Sequence, residues 1–489
     1  MLFNSHIFML LFLPLLLAGW YFLNWKKKFQ LAQGYLIGMS LWFYAYANLQ
    51  YLWLLLFSCL IGWLLSCLPE KIFSEKGKKV LTGVGCVFHL GLLGYFKYSN
   101  FFLENLNTVF HTDFPMLQIL LPVGISFYTF QQLAYLIDRC RGDAPRDSFF
   151  DYLTFMVYFP QLLQGPILLR SEFMGQLKEP ERRRFHAERF SEGIQFFVFG
   201  LAKKVLLADT LAKAVNYGYS NVSMLDSISA LLLAVGYLTE LYFDFSGYCD
   251  MAVGLGKMIG LEVAENFDAP FHSASVKEFW RRWHMTLGRF FTRYVYIPLG
   301  GNRRGKMRTL CNVMIVMLLS GLWHGAAWTF VLWGFLHGVG MIWDNLEHPH
   351  LPKKWMRQAA TFAYVCMTFV FFRAESIAQG VDVLKSIVSV KWNGFVFQMA
   401  SALDITECYI ITKALSMKLP GLLSWFWLGI FVVLIAICFR VLSGEKVSGV
   451  VALQRQKGYG RLYPVLLAVL FTWSIISMTG VSEYLYFSF

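Results

Sequence analysis

Leu310 to Asn345 reads LCNVMIVMLLSGLWHGAAWTFVLWGFLHGVGMIWDN. It holds two apolar runs, 310–323 and 326–345, joined through Trp-His-Gly (Trp323 to Gly325). Runs near 20 apolar residues are what a bilayer core asks of a spanning helix. A histidine at the end of such a run is costly unless it has a chemical role or a partner. Just upstream lies a charged, aromatic run, Phe-Trp-Arg-Arg-Trp-His (Phe279 to His284), followed by Tyr-Ile-Pro-Leu-Gly-Gly-Asn-Arg-Arg (Tyr296 to Arg304).

The same apolar signal recurs across the chain, at about 7–24, 30–47, 49–68, 80–97, 117–137, 191–208, 227–243, 358–372, 424–441 and 463–480. Of 489 residues, 57% are hydrophobic and 15% charged, against about 25% charged in a soluble domain. The chain is therefore all-α: a polytopic integral membrane protein of about 11–12 transmembrane helices plus re-entrant or interfacial helices. It reads as one transmembrane domain over 1–489, with core motifs in 117–345, peripheral helices in 1–97 and 358–480, and an aromatic tail in 481–489. A net charge of +13 does not point to nucleic acid, because the basic residues sit in short loops and no recognition motif accompanies them. Nine cysteines, mostly inside apolar runs and with no Cys-x-x-Cys pair, read as small buried hydrophobes. The first apolar run, ending before Lys26-Lys27-Lys28, suits a retained span better than a removed signal peptide.

Placing Lys26-Lys27-Lys28 in the cytoplasm makes 69–79, 138–190, 244–309, 346–357 and 442–462 cytoplasmic, and each is rich in Lys and Arg. The segment 98–116, which has no Lys or Arg, and both termini then fall outside. Two segments resist this scheme. Lys203-Lys204 lies near the outer end of an expected span, either snorkelling or lining a wet cavity. Tyr152 to Arg170 carries Pro160, Gln161, Gln164, Gly165 and Pro166, which suits a broken or re-entrant helix buried in protein. Pro122-Val123-Gly124 and Gln131-Gln132 mark 117–137 in the same way.

Three polar sets stand out. Glu240 and Asp244 share a helical face, with Ser246 close by and Asp250 beyond a glycine. They either orient a base or bind a cation, or they pair with arginines at the cytoplasmic interface. The segment 277–308 holds nine Lys and Arg, Arg281 and Arg282 among them, against one acid, Glu278. With Trp280 and Trp283 interleaved, it would lie on anionic headgroups, attract a phosphorylated donor or acidic carrier, or do both. His284 and His324 are candidate general bases, with packing roles as the alternative. No serine-nucleophile elbow, His-Glu-x-x-His or phosphate loop accompanies them, so the residues alone do not name a reaction.

The motifs in order resemble the membrane-bound O-acyltransferases, in the bacterial branch containing alginate O-acetylation and teichoic acid D-alanylation proteins. The resemblance covers nearly the whole chain and is stronger to the alginate members. It rests on Met-Leu-Phe-Asn-Ser at the start, Pro122 to Gln131, Phe159 to Ile167, Asp-Phe-Ser-Gly-Tyr-Cys-Asp (Asp244 to Asp250), and the two histidine motifs above. It implies helices around a central funnel and transfer of an acyl group from a cytoplasmic donor to an extracytoplasmic acceptor. It makes His324 the catalytic histidine and gives His284 a contribution to activity or to the inner face of the tunnel. Arg281, Arg282, Trp283, Trp323, Asp244, Ser246, Asp250, Gln131 and Gln164 become candidates for donor binding or tunnel lining. Thr292-Arg293-Tyr294 stands where many members have Arg-Asp-Tyr, so no role for that Asp carries over, and Cys249 replaces a common Ser.

The implied donor is acetyl-CoA or an acyl carrier protein, with no tightly bound cofactor or metal. The implied partners are membrane lipid and an extracytoplasmic acyltransferase acting on polysaccharide. The tail Tyr484 to Phe489 is similar to the aromatic ends of related chains, which makes Tyr486 a candidate acyl relay; its alternative is an interfacial anchor. A transporter or an assembly scaffold is the reading from a different class.

Overall fold

The computed structural model describes residues 1–67, 75–346, 353–442, 446–458, 460, 462–478 and 484–485. Regular structure among them is helical throughout. The elements used below are α1 (Phe8–Trp25), α2 (Leu49–Cys67), α3 (Lys76–Phe110), α4 (Ile125–Arg141), α5 (Ala187–Ala202), α6 (Asp209–Ser220) and α7 (Ser227–Ile259). They continue with α8 (Val276–Arg282), α9 (Met285–Phe291), α10 (Lys306–His324), α11 (Trp328–Asn345), α12 (Lys354–Arg373) and α13 (Pro420–Phe439). Six of these, α1, α2, α3, α7, α10 and α13, are long and apolar enough to cross a bilayer. The protein is thus embedded in a membrane.

The expected span 117–137 is only partly a helix. Its first residues are extended, and α4 starts at Ile125 after Gly124 adopts φ 78°. Pro122 and the left-handed glycine account for the late start. The proline- and amide-rich segment is broken as its composition implies. A four-residue helix, Phe159–Leu162, is followed by non-helical backbone, and residues 152–168 are buried.

The chain forms two compact units. One comprises residues 1–197, 249–265 and 289–298; the other comprises 198–248, 266–288 and 299–489. In the first, Phe3, Phe8, Phe12, Phe43 and Phe159 stack into an aromatic cluster, with Phe43 and Phe159 centroids 5.4 Å apart. The Trp20 indole N–H donates to the carbonyl at the end of α7, Ile259 O, at 3.0 Å. Two arginines of the basic stretch are spent in this unit. Arg289 grips the Glu172 carboxylate and donates to Ile167 O at 3.0 Å, pinning the non-helical segment. Arg293 pairs with Asp138 and Asp143 at 3.0 and 2.9 Å. The stretch is therefore not one continuous headgroup-facing surface, because carboxylates distant in sequence claim part of it. Arg281, Arg303, Arg304, Lys306 and Arg308 are the exposed remainder.

In the second unit α10 and α11 meet backbone to backbone. A methyl group at Gly321 would sit 2.3 Å from Phe330 O, and one at Gly334 would sit 2.5 Å from Met317 O. Small residues at such crossings let helices in lipid gain dispersion contacts. The obstructing atoms are main chain and cannot rotate away. Gly338, by contrast, faces the flexible end of Met314. Gly334→Ala is expected to destabilise the purified protein by at least about 1–3 kcal/mol, while Gly338→Ala costs clearly less. Thermal unfolding in detergent checks the ordering, and equal losses would contradict this account of the crossing.

Candidate active site

His324 is the last residue of α10, and the α10–α11 crossing fixes where that end points. The side chain is 4% exposed. Trp323, Trp333 and Phe372 surround the imidazole, with ring centroids at 4.9, 5.2 and 5.2 Å. These come from α10, α11 and α12, so the tight helix packing builds the box. His284, fully buried, reaches the same place from the turn between α8 and α9, its ring centroid 6.4 Å from that of His324. At that separation the rings do not bond directly, and one small polar group could hydrogen-bond to both (donor to acceptor about 3 Å each).

His284 is held by three constraints. Its backbone is left-handed, with φ 45°, a strained conformation for a residue with a side chain. Its Nδ1 lies 3.2 Å from Asn266 Oδ1. That oxygen also accepts from the Thr286 amide at 3.1 Å and its hydroxyl at 3.0 Å. Phe245 of α7 packs edge-on at 4.8 Å. An amide oxygen only accepts, so Nδ1 carries the proton and Nε2 has the basic lone pair. Burial pushes the imidazole down to about 3, which keeps it neutral.

His337, the third buried histidine described in this unit, is hydrogen-bonded at both ring nitrogens. Trp280 Nε1 donates to its Nδ1 at 3.2 Å, so Nε2 carries the hydrogen and meets Thr368 Oγ1 at 2.9 Å. The Thr368 hydroxyl passes its own hydrogen to Val365 O at 2.8 Å. Sequence reading did not single out His337, Asn266 or Phe372. A buried Asn has no signature in one sequence, and the aromatic box draws on helices far apart in the chain.

The remaining candidates divide. Trp323 stands beside both His284 and His324. Trp283 is buried among Phe267, Phe279 and Phe369, a packing position. Arg282 ties Glu278 at 3.0 Å and Asp268 O at 3.2 Å, while Arg281 is exposed. Asp244 pairs with Lys204 at 2.6 Å rather than with an arginine. Lys204 is 1% exposed and also meets Asp209 at 2.9 Å. It therefore does not snorkel. Lys204 and Asp209 are five residues apart, a spacing that an α-helix turns to different faces. The π-helical turn Lys203–Ala208 between α5 and α6 brings them together. The Ser246 hydroxyl is buried without a protein hydrogen bond among the described residues. Gln131, Gln164 and Asp250 belong to the first unit; both glutamine amides there are buried without such partners among the described residues. Tyr486 lies outside the described residues. No cluster of three metal-binding side chains occurs among the described residues.

A family model described as the membrane-bound O-acyltransferase family matches residues 141–375, the span holding Asp244, His284 and His324. The chain is 35% identical over 423 residues to the peptidoglycan O-acetyltransferase of Helicobacter pylori, covering 80% of each protein. It belongs to the membrane-bound O-acyltransferase family. It is also 38% identical to the "Probable alginate O-acetylase AlgI" of Pseudomonas aeruginosa, over 77% of this chain and 73% of that protein. The teichoic acid D-alanyltransferase of Bacillus subtilis is more distant, at 28% identity over 52% of this chain and 69% of that protein. Of these three relatives, the peptidoglycan and alginate proteins share more identity and more of the chain than the D-alanyltransferase does.

The burial of His284 has a measurable signature. As pH falls through about 6.5 the unfolded chain takes up a proton at this position, and the native state, held near 3, does not. The contribution of His284 to native stability is therefore full above pH 7 and is lost between pH 6.5 and 3. His284→Gln, which cannot titrate, is expected to lose less thermal stability between pH 7 and 5 than the parent. An equal slope would show that the imidazole is not neutral in the native state.

Proposed function

We propose that this acyltransferase moves an acetyl group from cytoplasmic acetyl-CoA across the cell membrane for O-acetylation of an extracytoplasmic polysaccharide. The observation that carries this reading is the buried pair of imidazoles, His284 and His324, 6.4 Å apart in an aromatic box. An imidazole screened from water at His324 suits proton removal from a hydroxyl, and the neutral His284 beside it suits holding that hydroxyl in place. The substrate class comes from the O-acetylating relatives.

In this mechanism His324 removes the proton of an acceptor hydroxyl as its oxygen attacks the thioester carbonyl. The tetrahedral intermediate collapses to the ester, and the departing thiolate takes the proton from the imidazolium. The carbonyl end of α10 lies at this imidazolium, and the helix dipole favours positive charge there. His284, presenting Nε2 as an acceptor, orients the hydroxyl. The exposed basic residues Arg303, Arg304, Lys306 and Arg308 suit docking of the phosphorylated donor at the cytoplasmic face, with both termini on the opposite side. Tyr486 would accept the acetyl group first and pass it to an extracytoplasmic acyltransferase that modifies the polysaccharide.

His324→Ala should lower acetyl ester on the cell-surface polysaccharide by roughly 100-fold or more, with membrane insertion unchanged; wild-type ester would sink the assignment. Tyr486→Phe should abolish transfer if the relay operates, and full acetylation in that variant rejects the relay alone. The D-alanylation relatives favour a second reading, in which an acyl carrier protein is the donor. Purified protein offered labelled acetyl-CoA or D-alanyl carrier separates the two.

A further inference from the structure

The segment Tyr484-Leu485 packs against the helices of the second unit. Tyr484 is 1% exposed. Its ring stands edge-on to Tyr248 at 5.0 Å, and the Lys204 ammonium lies over its face at 4.6 Å. The backbone N–H of Leu485 donates to Asp244 Oδ2 at 3.1 Å, while Asp244 Oδ1 takes Lys204 Nζ at 2.6 Å. The two oxygens of one buried carboxylate are thus shared between a buried cation and the tail. Lys204 in turn bridges Asp244, Asp209 and the tyrosine face.

The sequence prepares this seat in two ways. Gly247 brings α7 against the end of α5 and the π turn after it, since a methyl group there would sit 2.7 Å from Gly200 O and 3.1 Å from Lys204 N. The close approach sets Asp244, nearly one turn earlier on α7, opposite Lys204. The π-helical turn then adds Asp209 to the same cation. An ammonium packed against a tyrosine face and a carboxylate accepting a main-chain N–H are specific contacts, each stronger away from water. The segment that satisfies them is the chain's own tail. Phe245, next to Asp244 on α7, is the residue packed on His284.

We propose that Lys204 and Asp244 are positioning residues that form an internal binding site for the Tyr484-Leu485 segment, fixing the C-terminal tail as a component of the acyl-transfer route. The positional role rests on the transferase reading; the seat itself does not. Asp209 supports Lys204, and Tyr248 supplies the wall.

The test is carboxypeptidase Y digestion of the purified full-length protein, followed by intact-mass spectrometry. In the parent, trimming should not pass Leu485. Asp244→Asn, which keeps the shape and removes the charge, should be trimmed through Tyr484 at least tenfold faster. Leu485→Pro removes the donated N–H and leaves the ion pair intact, so it gives the same readout should Asp244→Asn fail to fold. Parent and variants trimmed through Tyr484 at equal rates would overturn the seat. Lys204→Arg, retaining the cation, should restore most of the protection that Lys204→Met loses. Acetyl transfer is measured on the same preparations: a released tail with unchanged transfer would overturn the positional role and keep the seat. Normal trimming in a protein whose His324→Ala variant still acetylates would instead reject the transferase mechanism and leave the seat standing.

Discussion

The second unit depends on one electrostatic requirement, the neutralisation of Lys204. A lone ammonium at 1% exposure would cost several kcal/mol. Two carboxylates, Asp244 and Asp209, meet it, and each contact fixes a piece of architecture. Asp244 reaches because Gly247 removes the side chain that would hold α7 away. Asp209 reaches because the helix between α5 and α6 widens to a π turn. The helix that answers Lys204 also carries Phe245 onto His284, so the charge cluster and the histidine pair share one rigid element.

The histidine pair shows a different economy. His284 and His324 occupy one aromatic surround but are fixed by different means. His324 takes its place from main-chain contact between α10 and α11. His284 takes its place from a strained left-handed turn secured by Asn266. His337 is fixed in a third way, by a hydrogen-bond chain running from Trp280 through Thr368 to Val365.

The membrane class and the broken segment around Pro160 were legible in the sequence because hydropathy and proline act locally. The family was legible because several long motifs occur in order. The partner of Asp244 was not, since Lys204 lies 40 residues away in sequence, and the pairing of Lys204 with Asp209, five residues on, is invisible to a 3.6-residue period. Nor was the division of the basic stretch, where Arg289 and Arg293 meet acids more than a hundred residues away in sequence. Asn266 escaped for a related reason. Its carbonyl oxygen matters only through the tautomer it imposes on His284, and nothing local to either residue announces the pair.

The π turn at Lys203–Ala208 amounts to one residue inserted into an otherwise regular helix. Deleting a residue there would give a more ideal helix and rotate everything after it by about 100°. Asp209 would swing away from Lys204, and the ammonium would lose one of its two counter-charges. The irregular helix is thus the better protein, and helical regularity is a poor guide to stability where a buried charge sets the register.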